Sequence, residues 1–350
     1  MLKHISDDKK IKAAVPLTHI FRNKNILVTG AYGFVGNHLM ANLPNSRVNL
    51  FAVMHDTDYR RQAHSFNDWH LRAKTIHADI RDYEQIERAI SIAEPDYIFH
   101  LAAISQVTEA NSVPRQAWET IVMGTVNLLE AARKLCPKAK IVIASSDKAY
   151  GGWGYIKSGL QEALPPIPGH PYDTSKAAAD MAAQSYARHY GLSIAIARMA
   201  NIFGPGDMNF KRLIPETIRS IIRGIDPRIR SNGKHIREYL NINDAVKGYF
   251  MLANSLKNGA LIKDKSNAEI FNFGGEPCSV ENLVTYILRL MKSRLEMQIL
   301  NQANDETHEI AIDDRKATEI LGWKRPTDMD MTNQLRHTIK WYKEYFHESG

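Results

Sequence analysis

Cysteine is scarce in this chain: only Cys136 and Cys278 occur in 350 residues. Two cysteines build no disulfide framework, so a reducing, cytoplasmic setting is expected, with both thiols read as small buried hydrophobes. Long apolar runs are lacking as well. None reaches the roughly 18 residues that span a bilayer, so no membrane partner is expected. The opening "MLKHISDDKKIK" is charged with no apolar stretch behind it, so no secretory signal is expected there. No unit recurs at a fixed period, and the histidines show no metal-ligand spacing, so no metal is expected.

What is present is an ordinary globular composition, 44% hydrophobic and 24% charged, with a formal net charge of +7. Much of the basic surplus lies in "KRLIPETIRSIIRGIDPRIRSNGKHIRE", residues 211 to 238. Such a run suits a phosphate backbone or one small dianionic ligand. No aromatic-interleaved basic patch or DNA-binding motif accompanies it, so no nucleic acid is expected.

Residues 1–24 read as an N-terminal arm. From "NILVTG" onward, short apolar runs alternate with helical stretches: "VNLFAVMH", "DYIFHLAA", "KIVIASS" and "LSIAIARMANIFG" as strands, "GNHLMANLP", "DYEQIERAISIAE" (after "KTIHADI"), "AWETIVMGTVNLLEAARKLC" and "DTSKAAADMAAQSYARHYG" as helices. Near-continuously apolar strands separated by helices of ten or more residues mean βαβ units and a parallel sheet covered on both faces. The expected fold is α/β, a Rossmann-type doubly wound sheet over residues 25–204, with later segments returning to it. Beyond Gly204 the alternation breaks, and 205–350 read mainly as a smaller C-terminal α/β substrate-binding lobe.

The run "VTGAYGFVG" sets Gly30, Gly33 and Gly36 between a strand and a helix. A tight turn there lets backbone approach a pyrophosphate, which faces the helix N-terminal N–H groups. Glycine triplets also arise in ordinary turns, but the strand before and the helix after are the context that dinucleotide binding requires. Tyr32, Phe34 and Val35 complete the loop. Asp56, ending the second strand, is placed for the ribose hydroxyls and favours NAD. Arg60 and Arg61 would instead suit the 2′-phosphate of NADP, and all three also suit a solvated loop. Asp79, with Ile80, is placed to reach the adenine amino group. Leu101, Ala102 and Ala103 end a strand with residues that let backbone pass close to the cofactor.

In "HPYDTSKAAAD", Tyr172 stands four residues before Lys176, which stacks the two on one helical face. A tyrosine hydroxyl ionises near pH 10, too high for a base at neutral pH, and a nearby ammonium lowers that. Alone, the spacing also fits two exposed helix residues.

Together "TGAYGFVG", "DIRD", "HLAA", "GTVNLLEAAR", "SSDKAYG", "YDTSK", "ARMANIFGPGD", "REYLNINDAV", "FNFGG" and "KATEILGWKRP" carry a resemblance. The chain resembles the extended short-chain dehydrogenase/reductases of the NAD-dependent nucleotide-sugar epimerase and dehydratase branch, from about residue 25 to 345. The resemblance implies that Ser146, Tyr172 and Lys176 form the oxidising triad. It implies further that Ser105, Asn201, Arg212, Leu213 and Arg237 bind a nucleotide-diphosphate sugar, which gives the basic run its work. It also implies a homodimer or a higher homo-oligomer, joined through the helices containing "TVNLLEAAR" and "SKAAADMAAQSYA". One departure is Ile121, where the family usually has an asparagine that helps order the site.

Asp147-Lys148, following Ser146, resembles the Asp-Lys pair of CDP-glucose 4,6-dehydratases. Simple 4-epimerases usually carry small or apolar residues there, and CDP-tyvelose-type 2-epimerases resemble an Asn-Lys pattern. The implied reaction is a 4,6-dehydration of a nucleotide hexose, with Lys148 and Asp147 as base and acid. An epimerase or a 4-keto reductase is the alternative. On spacing alone the pair also fits a surface turn with an ion pair worth under about 1 kcal/mol.

Overall fold

The computed structural model describes residues 17–55, 68–153, 156, 158–257, 269–302 and 310–348. The apolar runs become strands β1 (Asn25–Thr29), β2 (Asn49–Met54), β4 (Tyr97–His100), β5 (Lys140–Ser146) and β6 (Ser193–Met199), and Ala73–His77 becomes β3. With β10 (Glu269–Phe273) they form one seven-stranded sheet in the order β10-β6-β5-β4-β1-β2-β3. Every pairing in it is parallel. Strands in such a sheet are buried on both sides, and successive residues feed opposite cores. Leu27, Ile98, Ile141 and Ile196 enter one core, and Val28, Phe99, Val142 and Ala197 enter the other.

Helices α1 (Phe34–Asn42), α2 (Tyr83–Ala93), α3 (Gly124–Leu135) and α4 (Pro171–Tyr190) come from the expected stretches. Pro171 is at the first position of α4 and Gly191 closes it at φ 71°, so Tyr172 falls in the first turn. The helix expected from residue 117 does not run unbroken. A short helix, Pro114–Ala117, leads into a π-helical turn, Trp118–Met123, before α3 begins.

The strand expected over "LSIAIARMANIFG" divides between two sheets. β6 ends at Met199, the Ala200 N–H bonds Phe273 O of β10 at 3.1 Å, and β7 (Asn201–Phe203) joins a different partner. That partner is β9 (Ile236–Asn241), central in a three-stranded sheet with β11 (Glu276–Ser279) at its other edge. A parallel two-stranded ribbon, β8 (Arg228–Ile229) with β12 (Gln298–Ile299), lies apart from it. Helices α5 (Leu213–Ile222), α7 (Val280–Leu290) and α8 (Asp328–Glu348) enclose a separate apolar core around Ile218, Leu283, Ile287, Leu335 and Tyr342. Between α5 and α7 in sequence, α6 (Ile242–Lys257) returns to the large sheet, as β10 does.

The strand order reverses between β1 and β4, and a crevice opens beyond the carboxyl ends of strands at such a point. Gly30 and Leu101 leave the sheet there side by side, the Leu101 N–H donating to Thr29 O at 3.2 Å.

Candidate active site

The turn after β1 requires glycine at two positions. Gly30 has φ +68°, and a Cβ there would stand 2.7 Å from Ala102 N. A Cβ on Gly36 would stand 2.0 Å from Gly30 O. Gly33 donates its N–H to Gly30 O at 3.0 Å and caps α1 without a side-chain acceptor. The first-turn N–H groups of α1 are thus left to an anion from outside the helix, which is what a pyrophosphate cradle needs. Phe34 and Val35 are half-buried in that first turn.

Not every residue expected around the cradle turns toward it. The Tyr32 ring is buried 5.0 Å from Trp69, and its hydroxyl shares a 2.6 Å hydrogen bond with Thr75, so only its backbone belongs to the loop. Ile80 is a core residue packed against Gly124 of α3. Asp79 is gripped by Arg81, whose Nε donates to Oδ2 at 2.9 Å, with His55 Nε2 at 3.1 Å. Burial works against ionisation of Asp79, but the Arg81 contacts outweigh it and hold the carboxyl below its usual range. Asp56, Arg60 and Arg61 lie outside the described residues.

At the end of β4, a buried chain of polar groups ties the glycine turn to α3. Thr29 Oγ1 shares a 2.8 Å hydrogen bond with His100 Nδ1, and His100 Nε2 lies 3.1 Å from Thr125 Oγ1. The hydroxyl of Thr125 donates to Ile121 O at 2.6 Å. Burial, and then the charge of Lys176, push the imidazole down to about 3, so His100 is neutral near pH 7. The Ile121 side chain packs with Ala110, Ala117, Tyr172 and Ala179. Apolar packing therefore stands where the resemblance leads one to expect an asparagine. A polar contact to Tyr172 comes from elsewhere: its backbone N–H donates to Asn111 Oδ1 at 3.3 Å.

Ser146, Asp147 and Tyr172 lie together beyond β5, with Lys148 on the turn that follows and Lys176 one helical turn past Tyr172. Ser146 is the last residue of the strand, and a 3-10 turn, Asp147–Tyr150, follows at once. The Ser146 hydroxyl donates to Asp147 Oδ1 at 2.8 Å and accepts the Lys148 N–H at 3.2 Å. Asp147, Tyr172 and Lys176 are buried, and Lys148 is half-buried. The Lys176 ammonium donates to Ala144 O of β5 at 3.2 Å. Burial pushes Lys176 down to about 8, against the pull of Asp180. Burial also raises the Tyr172 phenol well above its usual range; Arg212 and the Ser146 hydroxyl oppose it, while Asp147 and Asp173 add to it. A cation at the ring would bring the phenol back down.

Residues later in the chain act on the same groups, Arg212 on the Tyr172 phenol and Glu238 with Asp147. Arg212 caps α5 and its Nη1 donates to Asp207 Oδ2 at 3.1 Å, with Leu213 opening the helix beside it. Asn201 donates from Nδ2 to Glu238 O at 3.1 Å, which joins β7 to β9 next to Arg237. Arg237 is half-buried on β9, and Ser105 is exposed in the segment after β4. Glu238 is a residue that no local pattern singles out. It is buried, held by Arg325 at 2.8 Å, and pushed up to about 7 by burial against that ion pair, with Asp147 adding to the rise. Asp173, Asp180 and Arg198 escape sequence reading in the same way, since nothing in a local pattern marks an acid or a base as buried. Among the described residues, no group of three or more histidine, cysteine or carboxylate side chains is arranged to hold a metal.

Residues 26–274 match the model of the NAD dependent epimerase/dehydratase family. The chain is 30% identical over 324 residues to a putative UDP-glucose 4-epimerase of Methanocaldococcus jannaschii, covering 91% of this chain and 98% of that one. It is 27% identical over 346 residues to CDP-glucose 4,6-dehydratase of Salmonella typhimurium, covering 93% and 92%. Among solved structures, UDP-glucose 4-epimerase of Thermotoga maritima with UDP-glucose superposes with a TM-score of 0.79 at 25% identity, over 92% of this chain and 99% of that one. The dTDP-glucose 4,6-dehydratase of Bacillus anthracis in complex with NAD superposes with a TM-score of 0.74, also at 25% identity, over 92% and 97%. Matched by the family model over more than half its length, and by a relative over nearly all of it, the chain belongs to the NAD-dependent epimerase/dehydratase family.

Proposed function

We propose that this enzyme is a nucleotide-sugar 4,6-dehydratase that converts a nucleotide-diphosphate hexose to the 4-keto-6-deoxy sugar. The observation that carries the reading is the buried Asp147 carboxyl group, which accepts from Ser146 Oγ at 2.8 Å and is followed by Lys148. An acid and a base beside the hydroxyl that serves C4 oxidation are what elimination of water needs beyond epimerisation. The substrate is CDP-glucose-like, or a GDP- or dTDP-hexose. Ser105, Asn201, Arg212, Leu213 and Arg237 hold it, the arginines through its diphosphate.

The cradle of Gly30, Gly33 and Gly36 fits a dinucleotide, since a Cβ at Gly30 or Gly36 would collide with the backbone that shapes it. NAD, rather than NADP, is the proposed cofactor; the turn of Gly30, Gly33 and Gly36 would hold its pyrophosphate, and the chemistry it would supply is reversible hydride transfer, out of C4 and back to C6. The chain's own residues move the protons. Tyr172, with Lys176 near it, removes the C4 hydroxyl proton, and Ser146 orients that hydroxyl. The 4-ketone acidifies C5–H, Lys148 takes that proton, the Asp147 carboxyl group protonates the departing C6 oxygen, and Lys148 gives its proton back to C5 as C6 is reduced. A homodimer through α3 and α4 belongs to the same proposal, with Met181 of α4 59% exposed on the face that would be covered.

An NDP-sugar epimerase is the second reading, favoured by the 30% identity to a protein named as a putative UDP-glucose 4-epimerase. Incubation with a panel of nucleotide hexoses separates the two. A product lighter by one water supports the dehydratase, and a mass-neutral product sinks it. Asp147→Asn should keep C4 oxidation and lose about 10²–10⁴-fold in water release.

A further inference from the structure

His100 is the last residue of β4, and the proton transfers above give it no task. At the end of a buried strand, packing alone asks only for an apolar side chain. An imidazole there needs both ring nitrogens bonded, because a buried polar group without a partner is costly. Thr29, His100 and Thr125 are 0%, 3% and 3% exposed, so they meet those needs from protein groups.

The hydrogen bonds fix where each proton lies. Thr125 has one hydroxyl proton and gives it to Ile121 O at 2.6 Å. Toward His100 Nε2, 3.1 Å away, its oxygen can therefore only accept, so Nε2 carries the ring proton. A neutral imidazole has one N–H, and burial keeps this ring neutral. Nδ1 is then bare and accepts from the Thr29 hydroxyl at 2.8 Å. The Thr29 oxygen in turn accepts the Ala102 N–H at 3.3 Å. Every donor in the row points the same way, from Ala102 to Ile121.

One end of the row is the glycine turn, where Ala102 N lies 2.7 Å from the place a Cβ on Gly30 would take. The other end, Ile121 O, belongs to the π-helical turn Trp118–Met123, in which the Gly124 N–H reaches back to Glu119 O. Single π turns occur mostly at functional sites. This one packs directly on α4, and the Ile121 side chain shares a cluster with Tyr172. Ile121 brings no polar side chain to order the turn, and the Thr125 hydroxyl holds its carbonyl instead.

We propose that His100 is a positioning residue: with its proton on Nε2 it locks the glycine turn and the π-helical turn together, so that dinucleotide binding at one orders the other beside Tyr172. The proposal rests on the dinucleotide reading of the glycine turn. Each bond in the row is directional, so a shift of Ala102 misaligns Thr29, the ring and Thr125 in turn. The ring neither gains nor loses a proton.

Three measurements on the full chain test this. Nitrogen NMR of the cofactor-free protein at about pH 7 should find the His100 proton on Nε2, the signal being assigned by its loss in His100→Gln. A proton on Nδ1 overturns the proposal. NAD affinity is then compared in Thr29→Val, Thr125→Val and the double variant. Each single change should weaken binding about tenfold, and the double about tenfold as well, because either break releases the same row. Losses that multiply to about a hundredfold in the double variant sink the idea, as does full affinity in Thr125→Val. Finally, amide exchange over Trp118–Met123 should slow about tenfold when NAD binds the wild type and should not respond in Thr125→Val. A merely structural role would leave the same response to NAD in both proteins, and that result also overturns the proposal. A wild type that binds NADP and not NAD corrects the cofactor reading, and the same cycle run with NADP decides. Binding of neither by the wild type ends the dinucleotide reading and this proposal with it.

Discussion

Arg198 of β6 donates its Nε–H to the carboxylate of Asp180 on α4 at 2.9 Å, with the two side chains 2% and 1% exposed. Asp180 stands one helical turn beyond Lys176, and the Arg198 guanidinium lies 4.4 Å from the centre of the Tyr150 ring. The Tyr150 hydroxyl in turn donates to Asn272 Oδ1 at 2.8 Å. One buried ion pair thus pins the helix that carries Tyr172 and Lys176 to the sheet and to the turn that carries Asp147 and Lys148.

Breaking that pair from one side should be costly. Arg198→Met leaves the Asp180 charge buried and unpaired, and should lower stability by about 3–5 kcal/mol in urea unfolding. The double variant with Asp180→Leu removes both charges and should recover most of the loss. Equal loss in the single and double variants would show that volume, not charge, is what matters there.

Lys176 should make the protein less stable below about pH 8, the value to which burial pushes it. The unfolded lysine ionises near 10.4, so between the two midpoints the unfolded chain binds more protons and stability rises with pH. Lys176→Met removes this cost. In denaturant unfolding without cofactor its stabilising effect should be largest at neutral pH and shrink by about pH 9.5. C4 oxidation should be lost in the same variant.

Glu238 has the opposite signature. Its folded value of about 7 lies above the ordinary 4.5, so the native state holds the extra proton between them. Stability from this group is present below the unfolded midpoint and is lost as pH rises to about 7. Glu238→Gln should flatten the stability profile over that interval. A variant profile as steep as that of the wild type would place the proton elsewhere.

Two glycines separate backbone strain from close approach. Gly191 has φ +71° with nothing within 4 Å of where a Cβ would stand, so Gly191→Ala should cost about 1–2 kcal/mol of left-handed strain and leave cofactor affinity unchanged. Gly36 is not strained but would place its Cβ 2.0 Å from Gly30 O. Gly36→Ala should weaken NAD binding at least about tenfold, a loss of about 1.4 kcal/mol, in a fluorescence titration.

Much of the scaffold is legible because its signals are local. Each β strand of the large sheet except β3 and β10 is visible as an apolar run, and the glycine turn and the Tyr172–Lys176 spacing are short-range patterns. The run Leu192–Gly204 misleads for the same reason: it is largely apolar, yet Ala200 bonds β10 while Asn201 already pairs with β9. Tyr32 misleads in a second way. Its place in the loop says nothing of where its ring goes, and Trp69 and Thr75, which receive it, are distant in sequence.

The amino-acid sequence by itself determined the α/β class and the glycine turn after β1, since periodicity and spacing encode them, while Ser146, Asp147 and Lys148 come into view only through the family resemblance. Only the tertiary structure decided which charges are sealed from water and which face one another. Glu238 under Arg325 and Asp180 against Arg198 are joined by chain segments from different elements. Burial and long-range pairing set the proton affinity of such groups, and neither is written in any local run of residues.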